Sequence, residues 1–468
     1  MLYRYAILIL CLCCGSMIAA EPRWDNEIIT LGDEREDLYL PLLEGKRIAL
    51  FSNQTGCRKS GEHILDVLIR QGINVTALFS PEHGFRGTAD AGERVNSSLD
   101  EKTGIPIFSL YDGKKMGPDD ETMQGFDVLL VDIQDVGLRF YTYYVTMLQL
   151  IRRCSECDKG AVILDRPNPN GHFVDGPILD MKLKSGVGAL PIPIVHGMTL
   201  GELALMAQGE GWIPSSRLEV IPCLGYTHQS LYALPVAPSP NLPNMRSIYL
   251  YPSLCYFEGT PVSLGRGTDA PFQLYGHPSF TDYQFTFTPE SRPGAKNPPQ
   301  KGNVCHGVDL RVLDMGELQQ LRRIDLSYLI DAYTRFPQKE EFFQRGGNFF
   351  DLLMGQTRIR EMIVAGASAT EIEASWKDDV EQFKLQRKKY LIYGTALGVA
   401  EEVYESMKLQ VPNISDYDDG LFMYHYYGGY GMFYNAYDTS NSTLDSSSDS
   451  GGFGGFGGGS GGGGGGAF

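Results

Sequence analysis

Arg47-Ile48-Ala49-Leu50-Phe51-Ser52 is an apolar run that breaks off into Asn53-Gln54-Thr55-Gly56, and the chain repeats this pairing. Val75–Ser80 runs into Pro81-Glu82-His83-Gly84-Phe85-Arg86-Gly87. Ile105–Leu110 runs into Tyr111-Asp112-Gly113, and Val128–Asp132 into Gln134-Asp135-Val136-Gly137-Leu138-Arg139-Phe140-Tyr141. Ala161–Asp165 ends in Arg166-Pro167-Asn168-Pro169. Short continuous runs of this kind read as strands buried on both faces. Helical patterns lie between some of them, which makes the region a parallel α/β sheet. Such sheets bind ligands outside the carboxyl ends of their strands, where every polar cluster falls. The chain thus points its chemistry at one rim.

Working outward, Gly61–Arg70 reads as a helix with Ile64, Leu65 and Leu68 inward. Tyr144, Met147, Leu148 and Ile151 show i, i+3, i+4, i+7 spacing directly after the fourth cluster. Thr199 with Glu202 has the spacing of a helix-capping box, and so does Thr370 with Glu373. Helices are expected over Thr370–Lys388 and Leu397–Met407. The stretch Pro238-Ser239-Pro240-Asn241-Leu242-Pro243 continues neither a helix nor a central strand. The α/β domain is therefore set at 45–245, followed by a smaller, mixed α/β domain over 246–415. Residues 440–468 are rich in Gly and Ser and are expected to be disordered, because such chain cannot offset its ordering entropy by burial.

The chain has 468 residues, enough for two domains, and its 43% of hydrophobic residues marks it as globular. A net charge of −17 argues against nucleic-acid partners, which are held by neutralising phosphates. Residues 1–20 read as a secretory signal: Arg4, an apolar run from Tyr5 to Cys14, then small residues through Ala19-Ala20. The expected location is periplasmic or extracellular, with no stable membrane insertion after cleavage. Cys57, Cys154, Cys157, Cys223, Cys255 and Cys305 remain, an even set that permits disulfides. Cys154 and Cys157 form a lone C-x-x-C that closes a helix, and neither zinc nor redox chemistry is assigned to it.

Two clusters carry chemistry. Ser80–Gly87 places a carboxylate (Glu82), an imidazole (His83) and a guanidinium (Arg86) within a few residues of a strand end. A carboxylic acid beside an apolar wall can be held protonated and act as a general acid. The alternative is a tight loop with Glu82 paired to Arg86. Asp132–Tyr143 combines Asp132, Asp135, Gln134, Arg139, Tyr141 and Tyr143, a set suited to a sugar, whose C–H face stacks on rings while its hydroxyls find amides and carboxylates. About half of these residues are also expected to serve the fold. Pro191–Thr199, around His196, and the Glu258/Arg266 stretch add polar groups. Phosphate-binding and nucleophile-elbow glycine motifs are missing from the folded part. A metal held by Glu82, His83, Asp132 and Asp135 is a rival reading without a ligand spacing to support it.

In combination, Asn53–Gly56, Ser80–Gly87, Asp132–Tyr143, Asp165–Pro169, Pro193–Glu202, Pro238–Asn241 and Phe257–Thr268 make the chain resemble the bacterial exo-β-N-acetylmuramidase family NamZ, in order over residues 45–410. The resemblance implies a Rossmann-like N-terminal domain, a smaller C-terminal domain and an active site in the cleft between them. It also implies release of N-acetylmuramic acid (MurNAc) from the non-reducing ends of peptidoglycan fragments such as MurNAc-GlcNAc oligosaccharides. Glu82 is then the leading catalytic residue, with His83, Asp132 and Asp135 as further catalytic candidates. Asn53, Arg86, Gln134, Arg139, Tyr141, Tyr143, Asn168, His196, Glu258 and Arg266 are the substrate-binding candidates, Arg139 being the first choice for the sugar's lactyl carboxylate. No cofactor is expected. The rival functions are a non-catalytic muropeptide- or sugar-binding protein and a metal-dependent phosphoesterase.

Overall fold

The computed structural model describes residues 24–81, 85, 98–110 and 117–393. The signal segment, Glu82, His83, Arg86, the expected helix Leu397–Met407 and the Gly-rich tail lie outside the described residues.

The first half alternates helix and strand: α1 (Glu36–Leu43), β1 (Arg47–Ser52), α2 (Ile64–Arg70), β2 (Asn74–Ser80), β3 (Ser98–Leu99), β4 (Pro106–Ser109), α3 (Asp120–Gln124), β5 (Val128–Asp132), α4 (Tyr143–Glu156), β6 (Gly160–Leu164), α5 (Leu200–Gly209) and β7 (Leu218–Ile221). These strands form one sheet in the order β3-β4-β2-β1-β5-β6-β7. All pairings are parallel except β3 with β4. The order reverses between β1 and β5, where Ser52 lies opposite Asp132. That is the topological switch point, the place where open α/β sheets hold their ligands.

The apolar runs form strands because both faces are covered. On β1, Ala49 and Phe51 enter one hydrophobic cluster with Met147, Leu148 and Ile151 of α4 and Leu203 and Met206 of α5. Ile48 and Leu50 point the other way, against Tyr39 and Leu43 of α1 and Ile64, Leu65 and Leu68 of α2. This is the period-2 alternation of a strand, with helices on both sides. Thr199 caps α5 with Glu202 in the reciprocal arrangement expected.

The second half comprises α6 (Met245–Leu254), β8 (Leu274–His277), β9 (Phe285–Phe287), β10 (Cys305–Asp309), α7 (Met315–Gln320), α8 (Ser327–Arg335), α9 (Phe349–Met354), α10 (Thr357–Val364), α11 (Ala369–Ala374) and α12 (Lys377–Arg387). Its antiparallel sheet has the order β8-β10-β9. Phe257, Phe272, Phe350 and Phe383 join the same cluster as α4 and α5, so the two halves share a core. The expected helix over Thr370–Lys388 is two helices. Its capping box is Ser368 with Glu371, and the chain turns at Trp376, whose indole N–H donates to Asp175 (2.8 Å). The described cysteines are all free thiols. Among the described residues no helix is long and apolar enough to cross a membrane.

Candidate active site

The loops leaving β1, β5 and β6 meet at the switch point. Gln134 donates its backbone N–H to Thr55 Oγ1 (2.9 Å), tying the β5 loop to the β1 loop. Its side-chain amide donates to Asp135 O and Pro167 O, both at 2.8 Å, tying in the β6 loop. Asn53 accepts from Thr55 N–H (2.9 Å) and hydroxyl (2.6 Å) and donates to Tyr143 Oη (3.0 Å). Tyr141 and Tyr143 both donate to the carbonyl of Pro238, each at 2.9 Å. Asn168 donates to Met198 O (2.9 Å) and accepts from Asn170 N–H (2.8 Å). Its amide fills the space that a Cβ at residue 137 would need; Gly137 sits there with φ +76°, a turn that favours glycine.

Asp132 is not free for catalysis. It is fully buried, and Arg166 grips both its oxygens, Nε at 2.6 Å and one terminal nitrogen at 2.9 Å. The same nitrogen donates to Asp33 (2.6 Å). One guanidinium thus serves two carboxylates, and burial together with the Asp132 charge pushes the Asp33 carboxyl up, against the pull of Arg166. Neither Asp33 nor Arg166 stood among the expected site residues. Arg166 lies within a strand-end phrase, which was the available signal; Asp33 sits in the charged lead-in and gave none.

Asp135 is different. One of its oxygens accepts from Gly137 N–H (2.7 Å), while Oδ2 is buried with no hydrogen-bond partner among the described residues. Burial pushes this carboxyl up to about 7, although the Gly137, Val136 and Tyr144 backbone N–H groups pull it down. A half-satisfied buried carboxyl at a ligand rim can donate or accept a proton near neutrality.

Arg139 does not offer a fork to a sugar acid. It is 0% exposed and donates to four carbonyls: Pro177 (2.6 Å), Ile192 (3.0 Å), Leu353 (2.9 Å) and Met354 (2.8 Å). It joins the two halves of the chain instead. His196 is also buried. Its Nδ1 accepts from Met198 N–H (3.2 Å), and burial followed by the nearby Arg387 charge lowers it to about 3, so it is a neutral ring.

Glu258 and Arg266 do meet, through Arg266 Nε and Glu258 Oε1 at 2.8 Å. They stand at the end of a row of buried rings: Tyr141 packs on Tyr251, Tyr251 on Phe272, and Arg266 lies over the Phe272 ring at 5.0 Å. These rings belong to the core that the two halves share. On the opposite side, Tyr393 donates to Asp165 (2.6 Å) and Ile392 N–H to Glu202 (2.9 Å), so the last described residues dock back onto the sheet domain.

A polar rim at the switch point of a parallel sheet is where α/β proteins of this class hold a small ligand. The family model for the N-terminal part of the exo-β-N-acetylmuramidase NamZ matches residues 48–246, and that for its C-terminal part matches residues 249–393. The peptidoglycan β-N-acetylmuramidase NamZ of Bacillus subtilis (strain 168) is 40% identical over 392 residues, which cover 80% of this chain and 92% of that protein. A crystal structure of a DUF1343 family protein from Bacteroides fragilis NCTC 9343 is 57% identical, with a TM-score of 0.72, and covers 78% of this chain and 99% of that one. A second DUF1343 structure from the same strain is 28% identical, with a TM-score of 0.65, over 80% of this chain and 100% of that one. The chain belongs to the exo-β-N-acetylmuramidase NamZ family.

Proposed function

We infer that this chain is an exo-acting glycoside hydrolase of cell-wall turnover that releases N-acetylmuramic acid from the non-reducing end of peptidoglycan fragments. The observation that carries the reading is the match of both family models, end to end, on a chain whose polar loops converge at the switch point. The disaccharide MurNAc-GlcNAc is the simplest substrate. In the reaction the glycosidic oxygen takes a proton, the bond to the anomeric carbon of MurNAc breaks, and water adds at that carbon. Glu82, which follows β2 in the sequence, is the proposed donor of the proton. With Asp132 committed to Arg166, Asp135 is the described rim carboxyl left to assist, as partner to water or to the substrate's own acetamido group acting as nucleophile. The leader at residues 1–20 supports export, which would bring the enzyme to its polymer.

Incubation with MurNAc-GlcNAc and mass analysis of the products tests the function: free N-acetylmuramic acid is expected. Unchanged disaccharide that nevertheless binds would favour the sugar-binding alternative. Glu82→Gln preserves shape and removes the proton; its expected effect is a roughly 10²–10⁴-fold fall in kcat with the fold intact. Wild-type turnover in that variant would remove Glu82 from the role.

A further inference from the structure

Arg345 was not singled out by any motif. It lies just before α9, on the segment that ends in Gly346 and Gly347, both at positive φ (+68° and +71°). Its side chain remains open to solvent, yet one end is anchored: a terminal N–H donates to the carbonyl of Thr260 (3.4 Å). Thr260 follows Glu258 by two residues, so this anchor brings Arg345 to the Glu258–Arg266 pair at the end of the row of rings. There the charges do not balance. Arg266 directs both Nε and a terminal nitrogen at one oxygen of Glu258. Two guanidinium groups thus share a single carboxylate, of which Arg266 takes Oε1. The remaining Arg345 donors have no partner among the described residues. Partial burial and the Arg266 charge disfavour the charged form of Arg345, which Glu258 only partly offsets. In a chain of net charge −17, two cations with one carboxylate between them are a specific arrangement.

We propose that Arg345, set beside the Glu258–Arg266 pair, receives the carboxylate of an acidic sugar, namely the lactyl group of the terminal N-acetylmuramic acid. One incoming carboxylate would make the cluster neutral and would meet planar N–H donors in the geometry guanidinium groups favour. This role replaces the one expected of Arg139. It rests on the muramidase reading of the site.

The test uses the intact protein and two chromogenic muramides, one with the free lactyl acid and one with that acid converted to its neutral carboxamide. The wild-type enzyme is expected to prefer the acid. Arg345→Met should lower kcat/KM for the acid by roughly 10- to 100-fold, chiefly through KM, and leave the carboxamide within about twofold. Arg345→Lys keeps the charge without the fork and should fall between. Because Arg345 is exposed, the melting temperature should not move. Equal losses on both substrates, or no loss on either, would overturn the proposal while leaving the muramidase assignment standing. A wild-type enzyme that releases neither sugar would instead defeat the assignment itself.

Discussion

The loops at the switch point and the Glu258–Arg266–Arg345 cluster hold the same kinds of side chain in opposite states. At the rim, Arg166 satisfies Asp132 and Asp33, Gln134 staples three loops, and the hydroxyls of Tyr141 and Tyr143 end on one carbonyl. Those groups are occupied by protein, whereas Asp33 Oδ1, Gln54 Oε1, Ser80 Oγ, Asp135 Oδ2 and Asn170 Oδ1 are buried with no hydrogen-bond partner among the described residues. In the second half, two cations share one carboxylate and the outer one is open. A saturated buried network costs no further desolvation and fixes geometry; it has little left to offer a ligand. An unsaturated one keeps donors that a ligand can use. The comparison assigns scaffolding to Arg166, Asp132, Gln134 and the two tyrosines, and leaves Asp135 as the rim carboxylate with an open oxygen.

Breaking the saturated side should be the most damaging change. Arg166→Met strands two buried carboxylates, and removal of one partner from such a cluster costs about 3–5 kcal/mol. The expected result is a large drop in denaturation midpoint, visible even if the protein still folds. Adding Asp33→Asn and Asp132→Asn should recover much of the loss, because the stranded charges go with them. A midpoint unchanged by Arg166→Met would show that the network is not what holds these loops.

Arg139→Met comes next. Four carbonyls lose their donor, and the Leu353 and Met354 carbonyls lose their tie to the first half. Gly355, at φ +77°, packs its backbone against this guanidinium with no room for a side chain. Stability should fall by about 2–4 kcal/mol, each unsatisfied buried acceptor being worth roughly 1–3 with partial relaxation. The ratio of rates on terminal N-acetylmuramic acid and terminal N-acetylglucosamine should stay as in the wild type. A stable variant that loses that preference would return Arg139 to the binding site and blur the distinction between the two regions.

Asp135 tests the open side of the rim. An ordinary aspartate titrates near 4, and this one is pushed up to about 7 by burial. The folded state therefore binds the proton more tightly than the unfolded chain. The stability tied to the protonated form is fully present below pH ~4 and is lost as pH rises through ~7. Asp135→Asn keeps an acceptor for Gly137 N–H and carries no charge. The melting temperature of the wild type should thus fall relative to the variant between pH 4 and 8, by at most about 4 kcal/mol in stability. A difference independent of pH would mean that Asp135 is ionised throughout, with its second oxygen served by solvent.

The strands were legible because continuous runs such as Ile48–Phe51 and Val128–Val131 admit few other readings, and the helix caps because a Thr or Ser three residues before a Glu has a local mechanism. β7 escaped notice: Leu218–Ile221 is short and only half-buried, so it lacks the apolar continuity that marked its neighbours. Ser368 and Thr370 each precede a Glu by three residues, and sequence alone chose the wrong one. The choice is settled by tertiary contact, the Trp376 indole reaching Asp175 some 200 residues away. The same physics hid the roles of Arg139 and Arg345. Arg139 stands amid a sugar-like cluster, but its partners at 353 and 354 are invisible from that position. Arg345 stands in no cluster at all until Thr260 draws it in.

The smallest expected effect concerns divalent ions. A metal at the rim would need oxygens from at least two side chains, and the described carboxylates there are engaged. Asp132 is held by Arg166 at both oxygens; Asp165 accepts from Thr199, Tyr393 and Gly201; Glu202 accepts from Thr199, His228 and Ile392. That leaves Asp135 Oδ2 and Asp33 Oδ1, and Asp33 shares its guanidinium with Asp132 behind the rim. Exhaustive dialysis against EDTA should leave the rate of N-acetylmuramic acid release within about twofold, since protonation by a carboxylic acid needs no Lewis acid. Loss of activity that magnesium, manganese or zinc restores would make Glu82 and His83 metal ligands instead of acid and neighbour. It would also undo the contrast drawn above, because the rim would then recognise its substrate through an ion and the C-terminal cations would be secondary.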